Sequence, residues 1–297
     1  MTEAAPRVGM TGASGFLGKA VARALPAHGL EFLSLGANAD RPWRAEWPPD
    51  RMEPAVSGLE VLIHAAAHVP RDMRNPAEAE ACLRVNALGT LALAQAARAA
   101  GVRRFVFVST ANFIERRQAS IEDDALPGRH PLAAPYYLTS KLIAETYVMA
   151  TAGKDMEAQI IRPSAIYGPG MSAGIVSVML NRLRDGEPVV LHDGGRHAAD
   201  YVFVDDVADL IATAASSSLV GHLNAGSGVA SDLHDVAKAA RAIFPDSPST
   251  VTVEAAQPGR PPSGFSALDL TRARAAFDYR PRSLVQGMRD MLAETAA

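Results

Sequence analysis

Short apolar runs alternate with longer stretches of helical spacing along most of this chain, and glycine, proline or small polar residues punctuate the changes. Val8 to Thr11 is an apolar strand that leads into Gly12-Ala13-Ser14-Gly15-Phe16-Leu17-Gly18. A helix follows with Leu17, Val21, Ala24 and Leu25 on one side, closed by Pro26 and Gly29. Glu31 to Leu35, Val61 to His64, Arg104 to Val108 and Ala158 to Arg162 read as further strands. The run at 104–108 is almost wholly apolar, as a parallel sheet covered on both faces requires. Glu78 to Ala100 and Tyr137 to about Ala150 carry helical spacing. Past them, Pro163 to Gly170 reads as a rigid turn, Met171 to Arg184 as a helix, Pro188 to Leu191 as a strand and His192 to Ala199 as a polar loop. Tyr201 to Val207 runs from strand into a helix that Asp205 or Asp206 is placed to cap. Helices are expected again at Leu233 to Ile243 and Leu284 to Glu294, with a looser stretch from Gln257 to Gly264. The alternation predicts an α/β fold, without repeats of fixed period.

Composition narrows the class. A chain of 297 residues with 48% hydrophobic content can bury a large core, and its length suits one large or two closely packed domains. A net charge of -3 gives no general attraction to nucleic acid or to anionic membrane. Cys82 is the only cysteine, which excludes an intrachain disulfide and fits a reducing cytoplasm; it reads as a small buried apolar residue. No run of about 18 apolar residues is present, and Met1 to Arg7 lacks the apolar core of a signal peptide. A soluble cytoplasmic protein with neither a membrane nor a nucleic-acid partner is expected.

The candidate chemistry centres on Tyr137 and Lys141, one helical turn apart on one face. An ammonium there can favour the phenolate and bring the phenol towards a useful range, so Tyr137 is the candidate proton-transfer group. The glycine turn at Gly12, Gly15 and Gly18 lies between strand and helix, where backbone N–H groups and the helix dipole can face a phosphate. Ser14, Phe16 and Leu17 share that turn. After the second strand, the position where a dinucleotide fold offers an acid to the ribose falls on Gly36, leaving Asp40 for the ribose and Arg41 or Arg44 for a 2′-phosphate. NAD and NADP both stay open, and Arg41 tilts the reading to NADP. Ala65 and Ala66 at the end of the third strand let a flat ligand lie against the backbone, although close helix packing explains them equally. Ser109 and Thr110 stand at the carboxyl end of the fourth strand, ready to donate to a substrate oxygen. His64 and His68 lack partners at metal-ligand spacing, and His64 reads as a hydrogen-bonded structural residue.

Taken together, the glycine turn from Thr11 to Gly18, His64-Ala65-Ala66, Ser109-Thr110, Tyr137-x-x-x-Lys141, Arg162-Pro163 with Tyr167-Gly168-Pro169-Gly170, and Asp200 to Val207 resemble the extended short-chain dehydrogenases/reductases. More narrowly, they resemble the NAD-dependent epimerase/dehydratase group acting on nucleotide sugars. The resemblance implies a Rossmann-like doubly wound parallel sheet, residues 1–165 with 200–230, and a smaller substrate-binding subdomain, residues 166–199 with 231–297. It implies Thr110, Tyr137 and Lys141 as catalytic residues. Thr110 orients the substrate oxygen, Tyr137 passes its proton, and Lys141 holds the nicotinamide ribose while hydride moves between substrate carbon and nicotinamide. Asn86, Ser109 and Pro163 join the glycine turn, Arg41, Ala65 and Ala66 on the cofactor side, and Ser164, Arg196 and Arg260 form the substrate side. A homodimer through the helices holding Asn86 to Ala100 and Tyr137 to Ala150 is also implied.

Three departures shape the expected activity. Sugar 4,6-dehydratases resembling this group carry an Asp-Glu pair after the catalytic hydroxyl, where Ala111 and Asn112 stand here, so dehydration is not expected. Ala165 stands where an asparagine often meets the substrate diphosphate, and Ala199 where an arginine usually precedes Asp-Tyr. The expected reaction is therefore a 4-epimerase or 4-ketoreductase type on a nucleotide sugar. A free sugar, lactone or other small carbonyl compound is the alternative substrate, and a cofactor-sensing binding protein the alternative of another class.

Overall fold

The computed structural model describes residues 7–112, 134–171, 173–259 and 262–295. In chain order its elements begin with β1 (Val8–Thr11), α1 (Phe16–Ala27), β2 (Phe32–Leu35), α2 (Pro49–Val56), β3 (Val61–His64), α3 (Ala79–Ala81), a π-helical segment (Cys82–Leu88), α4 (Gly89–Ala99), β4 (Arg104–Val108), α5 (Pro135–Thr151) and β5 (Glu157–Pro163). They continue with β6 (Ala165–Tyr167), α6 (Ile175–Asp185), β7 (Val189–Leu191), β8 (Ala198–Phe203), α7 (Val204–Ala215), β9 (Gly221–Ala225), β10 (Ala230–Asp232), α8 (Leu233–Ile243), β11 (Val251–Val253), α9 (Thr271–Phe277) and α10 (Leu284–Thr295).

The described residues fall into two compact units, one from residues 7–112, 134–163 and 208–223, the other from 164–207 and 224 onward. The first holds a six-stranded sheet in the order β2-β1-β3-β4-β5-β9, its first five strands paired in parallel and flanked by helices. This is the expected Rossmann-like α/β architecture. Every residue of β1, β3 and β4 is buried, which is why these strands read as unbroken apolar runs. Leu62, Phe105 and Phe107 pack with Leu93, Ala94 and Ala97 of α4 and Ala144 and Val148 of α5. Small residues on α4 let that helix lie close to the sheet.

The second unit has a three-stranded sheet, β10-β8-β6, and a two-stranded one, β11-β7. Its core gathers Tyr167, Leu180, Leu183, Phe203, Val236 and Met288. Asp200 of β8 is fully buried, and among the described residues its carboxylate takes hydrogen bonds from the Ser227 N–H and hydroxyl (2.6 and 2.7 Å) and from the Gly228 and Leu268 N–H groups (both 3.0 Å). Enough donors satisfy a buried carboxylate as an ion pair would.

Several expectations change. β8 groups with the second unit rather than with the dinucleotide domain, because it pairs with β6 and β10. The turn expected over Pro163 to Gly170 contains β6, a short strand created by parallel pairing of Ala165, Ile166 and Tyr167 with Tyr201, Val202 and Phe203. α7 already begins at Val204, so Asp205 and Asp206 lie inside its first turn instead of before it; the Asp206 carboxylate accepts the Arg282 N–H (2.8 Å) and pairs with its guanidinium. The helix expected over 78–100 is interrupted by the π-helical segment, where the Gly89 N–H reaches back five residues to the Arg84 carbonyl.

Candidate active site

In the first unit, parallel pairing aligns the carboxyl ends of three strands. Thr11 of β1 is in register with His64 of β3, and His64 with Phe107 of β4. The chain therefore leaves the sheet side by side at Gly12, Ala65 and Val108, the edge where open α/β sheets hold their ligands. The glycines make the first of these exits possible. Gly12 has φ +77°, and a Cβ there would stand 2.6 Å from the Ala66 nitrogen; a Cβ on Gly18 would stand 1.9 Å from the Gly12 carbonyl oxygen. The Gly12 carbonyl accepts the Gly15 N–H at 3.0 Å, closing the turn. Ser14 and Gly15 are exposed, and among the described residues no side-chain cap is made at Gly15, the N-cap of α1 ahead of Phe16 and Leu17. Open backbone donors at a helix N-terminus, approached through a turn with no Cβ in the way, fit the phosphates of a dinucleotide.

A hydrogen-bonded chain runs along this edge. Thr11 and Thr90 hydroxyls flank His64, at 2.6 Å from Nδ1 and 2.9 Å from Nε2. The Thr90 hydroxyl donates to the Asn86 carbonyl (2.6 Å). The Asn86 side chain takes the His68 N–H (2.7 Å) and donates to the His68 carbonyl and the Ser140 hydroxyl (both 3.0 Å). Ser140 in turn donates to the Tyr137 carbonyl at 2.7 Å. Asn86, expected on the cofactor side, thus braces the loop after β3 against α5.

Tyr137 and Lys141 occupy the first turns of α5. Lys141 is buried and donates Nζ–H to the Val108 carbonyl at 2.6 Å, two residues before Thr110, and its ammonium lies 4.2 Å from the centre of the Phe107 ring. Thr110 is buried and accepts the Asn112 N–H at 3.2 Å, while the Ser109 and Ala111 N–H groups bond to the Ile161 and Pro163 carbonyls. The phenol is not brought down as the spacing suggests. Burial, with a smaller push from Cys82, raises Tyr137 to about 12, and burial lowers Lys141 to about 7 although Glu145 opposes it. The ammonium is drawn to Val108 and Phe107 and so does not serve the phenolate in this arrangement.

The other predicted residues divide. The backbone of Ala65 and Ala66 lies against Gly12, beside the glycine turn. Arg41 donates from Nη1 to the Ala55 and Ser57 carbonyls at 3.2 and 2.6 Å, so it anchors the end of α2 and is not directed to a 2′-phosphate; the Asp40 carboxylate takes the Ser34 N–H at 2.9 Å. In the second unit Ser164 is buried and donates to Asp200 at 3.3 Å, and Arg196 donates to the carboxylate and carbonyl of Asp193 (2.8 and 3.1 Å). Arg260 lies outside the described residues. Ala199 belongs to the apolar core of that unit, only 1% exposed, and Ala165 packs against that core while staying partly exposed.

Sequence reading missed the buried cluster behind the lysine. Glu145, one turn beyond Lys141, receives Arg162 Nε–H and Nη2–H at 3.0 and 2.7 Å, and His222 approaches it at 3.4 Å. Burial alone would raise the Glu145 carboxyl, but hydrogen bonds from His222 and Arg162 and the charge of Arg162 hold it below its ordinary value. The i, i+4 spacing of Lys141 and Glu145 was the available signal.

The model of a family described as NAD dependent epimerase/dehydratase matches residues 8–226. The chain is 30% identical over 307 aligned residues to a UDP-glucose 4-epimerase of Mycolicibacterium smegmatis, covering 94% of this chain and 95% of that protein. It is 31% identical over 239 residues to a dTDP-glucose 4,6-dehydratase of Streptomyces antibioticus, covering 76% and 67%. The structure of Thermus thermophilus UDP-glucose 4-epimerase in complex with NAD aligns at a TM-score of 0.75 and 26% identity, covering 98% of this chain and 99% of that one.

Proposed function

The chain belongs to the NAD dependent epimerase/dehydratase family of extended short-chain dehydrogenases/reductases, and we propose that it acts as a 4-epimerase or 4-ketoreductase on a nucleotide-linked sugar. The observation that carries this reading is the Lys141 bond to Val108, which ties the Tyr137 turn of α5 to the strand end bearing Thr110. Likeness over nearly the full length to a UDP-glucose 4-epimerase supports the sugar class. The Thr110 hydroxyl orients the substrate oxygen, and Tyr137 exchanges a proton with it. A phenol held near 12 keeps its proton at neutral pH, the form in which it faces a keto oxygen that is to be reduced. Glu145 and Arg162 behind Lys141 keep α5 and β5 together under the site. The glycine turn, Ala65, Ala66 and Lys141 are the groups suited to hold NAD, which supplies the hydride acceptor and donor.

NAD rather than NADP is the cofactor we infer. The NADP reading drew on Gly36, which offers no carboxylate, and on Arg41 or Arg44; of these, the Arg41 guanidinium is engaged by two carbonyls. Titrating the protein with both dinucleotides tests this, and a clear preference for NADP would overturn it. Ala111 and Asn112 in place of an acidic pair speak against 4,6-dehydration. The homodimer is likewise part of the proposal: Leu83, Leu88 and Met149, on the two helical elements concerned, expose large apolar side chains. Sedimentation of the protein at a single molecular mass equal to the monomer would reject it.

A second substrate reading, a small carbonyl compound, is favoured by one observation. Ala199 in the apolar core of the second unit and Ala165 packed against it stand where arginine and asparagine would meet a diphosphate. Incubation with NAD and UDP-glucose, followed by proton NMR of the sugar signals, separates the two. Interconversion to the 4-epimer supports the nucleotide sugar; turnover confined to free sugars, lactones or simple ketones supports the second reading.

A further inference from the structure

His64 is fully enclosed, and its ring stacks on Phe107 (5.7 Å between centres) with Trp43 and Phe105 edge-on at 5.7 and 6.1 Å. Its two nitrogens nonetheless face hydroxyls from different elements, Thr11 before the glycine turn and Thr90 on α4. The directions of these bonds can be worked out. Thr90 has one hydroxyl hydrogen, and the Asn86 carbonyl, which can only accept, takes it. The Thr90 oxygen must therefore receive a hydrogen from His64 Nε2. On the other side, the Thr11 oxygen already faces the Ala66 N–H at 3.3 Å, so its own hydrogen goes to Nδ1. That leaves Nδ1 as an acceptor and the ring neutral. Burial, together with the Lys141 charge on the same aromatic cluster, pushes the imidazole down to about 3, in accord with that assignment.

We propose that His64 is a positioning residue: as the neutral Nε2–H tautomer it fixes the spacing between the glycine turn and the Asn86–Ser140–Tyr137 chain. One bond holds the turn side through Thr11 and Ala66, and the other holds the helix side through Thr90 and Asn86. This rests on the reading that the glycine turn binds NAD. Because the two bonds have opposite polarity, two substitutions separate them. In His64→Gln the side-chain amide can still donate towards Thr90 but leaves the Thr11 hydroxyl without its acceptor. In His64→Asn the shorter side chain presents its oxygen towards Thr11 and abandons Thr90.

The test has two arms. In nitrogen-15 NMR of wild-type protein labelled at histidine, one buried ring is expected with a protonated Nε2 and a bare Nδ1; a protonated Nδ1 on His64, assigned by its loss in His64→Gln, overturns the proposal. In NAD titrations, His64→Gln is expected to raise Kd about 10-fold, the worth of one hydrogen bond, while His64→Asn stays within about 2-fold of wild type. Turnover should show the reverse order, with His64→Asn the slower. Equal shifts in both variants, in proportion to their loss of Tm, would reduce His64 to a packing residue and overturn the proposal. Wild-type protein that bound no NAD would instead remove the cofactor reading, and the tautomer spectrum would still decide this one.

Discussion

Lys141 points its ammonium at the Val108 carbonyl, 2.6 Å away, and rests over the face of Phe107. One residue thereby joins α5 to β4 at the point where β4 delivers Ser109 and Thr110. Lysine is long enough to make that link from within the helix, and its charge is the cost, because the side chain is buried.

That cost gives a pH-dependent prediction. Folded Lys141 releases its proton near pH 7, whereas in the unfolded chain it holds it to about 10.5. Between these values the unfolded state binds more protons, so stability should rise with pH from about 7 to about 10.5. Lys141→Met removes this dependence. The variant should melt above wild type at pH 7 and below, with the gap closing towards pH 10.5, and should bind NAD more weakly with much reduced turnover. A gap in Tm that stayed constant across the range would show that Lys141 is not buried as a charge at neutral pH.

Tyr137→Phe removes only the phenolic oxygen. Turnover should fall roughly 10²-fold or more with NAD affinity nearly unchanged. Near-wild-type turnover of this variant on the identified substrate would end the proton-transfer assignment.

The Glu145–Arg162 pair is enclosed, with side chains 3% and 0% exposed. Removing one partner leaves an uncompensated buried charge, so Arg162→Met and Glu145→Gln should each destabilise by about 3–5 kcal/mol, and the double variant by less than their sum. Denaturant unfolding measures all three. Since the Glu145 carboxyl is held below its ordinary value, its contribution is present above that value and is lost as pH falls through the lowered one. Additive losses in the double variant would contradict direct coupling.

Arg260→Ala tests the phosphate end of a nucleotide sugar. Loss of a charge-assisted contact should raise KM roughly 10-fold or more with little change in kcat. Arg196→Ala should do less, since Asp193 already holds that guanidinium. Kinetics indifferent to both substitutions would move the small-carbonyl reading ahead.

The sequence by itself determined the strands and helices that bound the candidate site and singled out the residues proposed to react there. Val8–Thr11, Val61–His64 and Arg104–Val108 appear at the limits read from their apolar runs, and so does the helix Leu233–Ile243. Those segments are legible because burial on both faces, or one helical stripe, writes itself into consecutive residues. Tyr137 and Lys141 are legible for a similar reason, since a fixed spacing on one helix is a local property. What tertiary structure decided were the partners. The short strands β6, β9, β10 and β11 form by pairing with distant segments and carry no periodicity of their own. Whether Arg41 faces a phosphate or two carbonyls, and whether Lys141 lowers the phenol or is itself lowered, depends on which groups lie within hydrogen-bond reach and how much water they keep. Those quantities are set by contacts 14 to 33 residues apart in the chain and by burial, which no local pattern encodes.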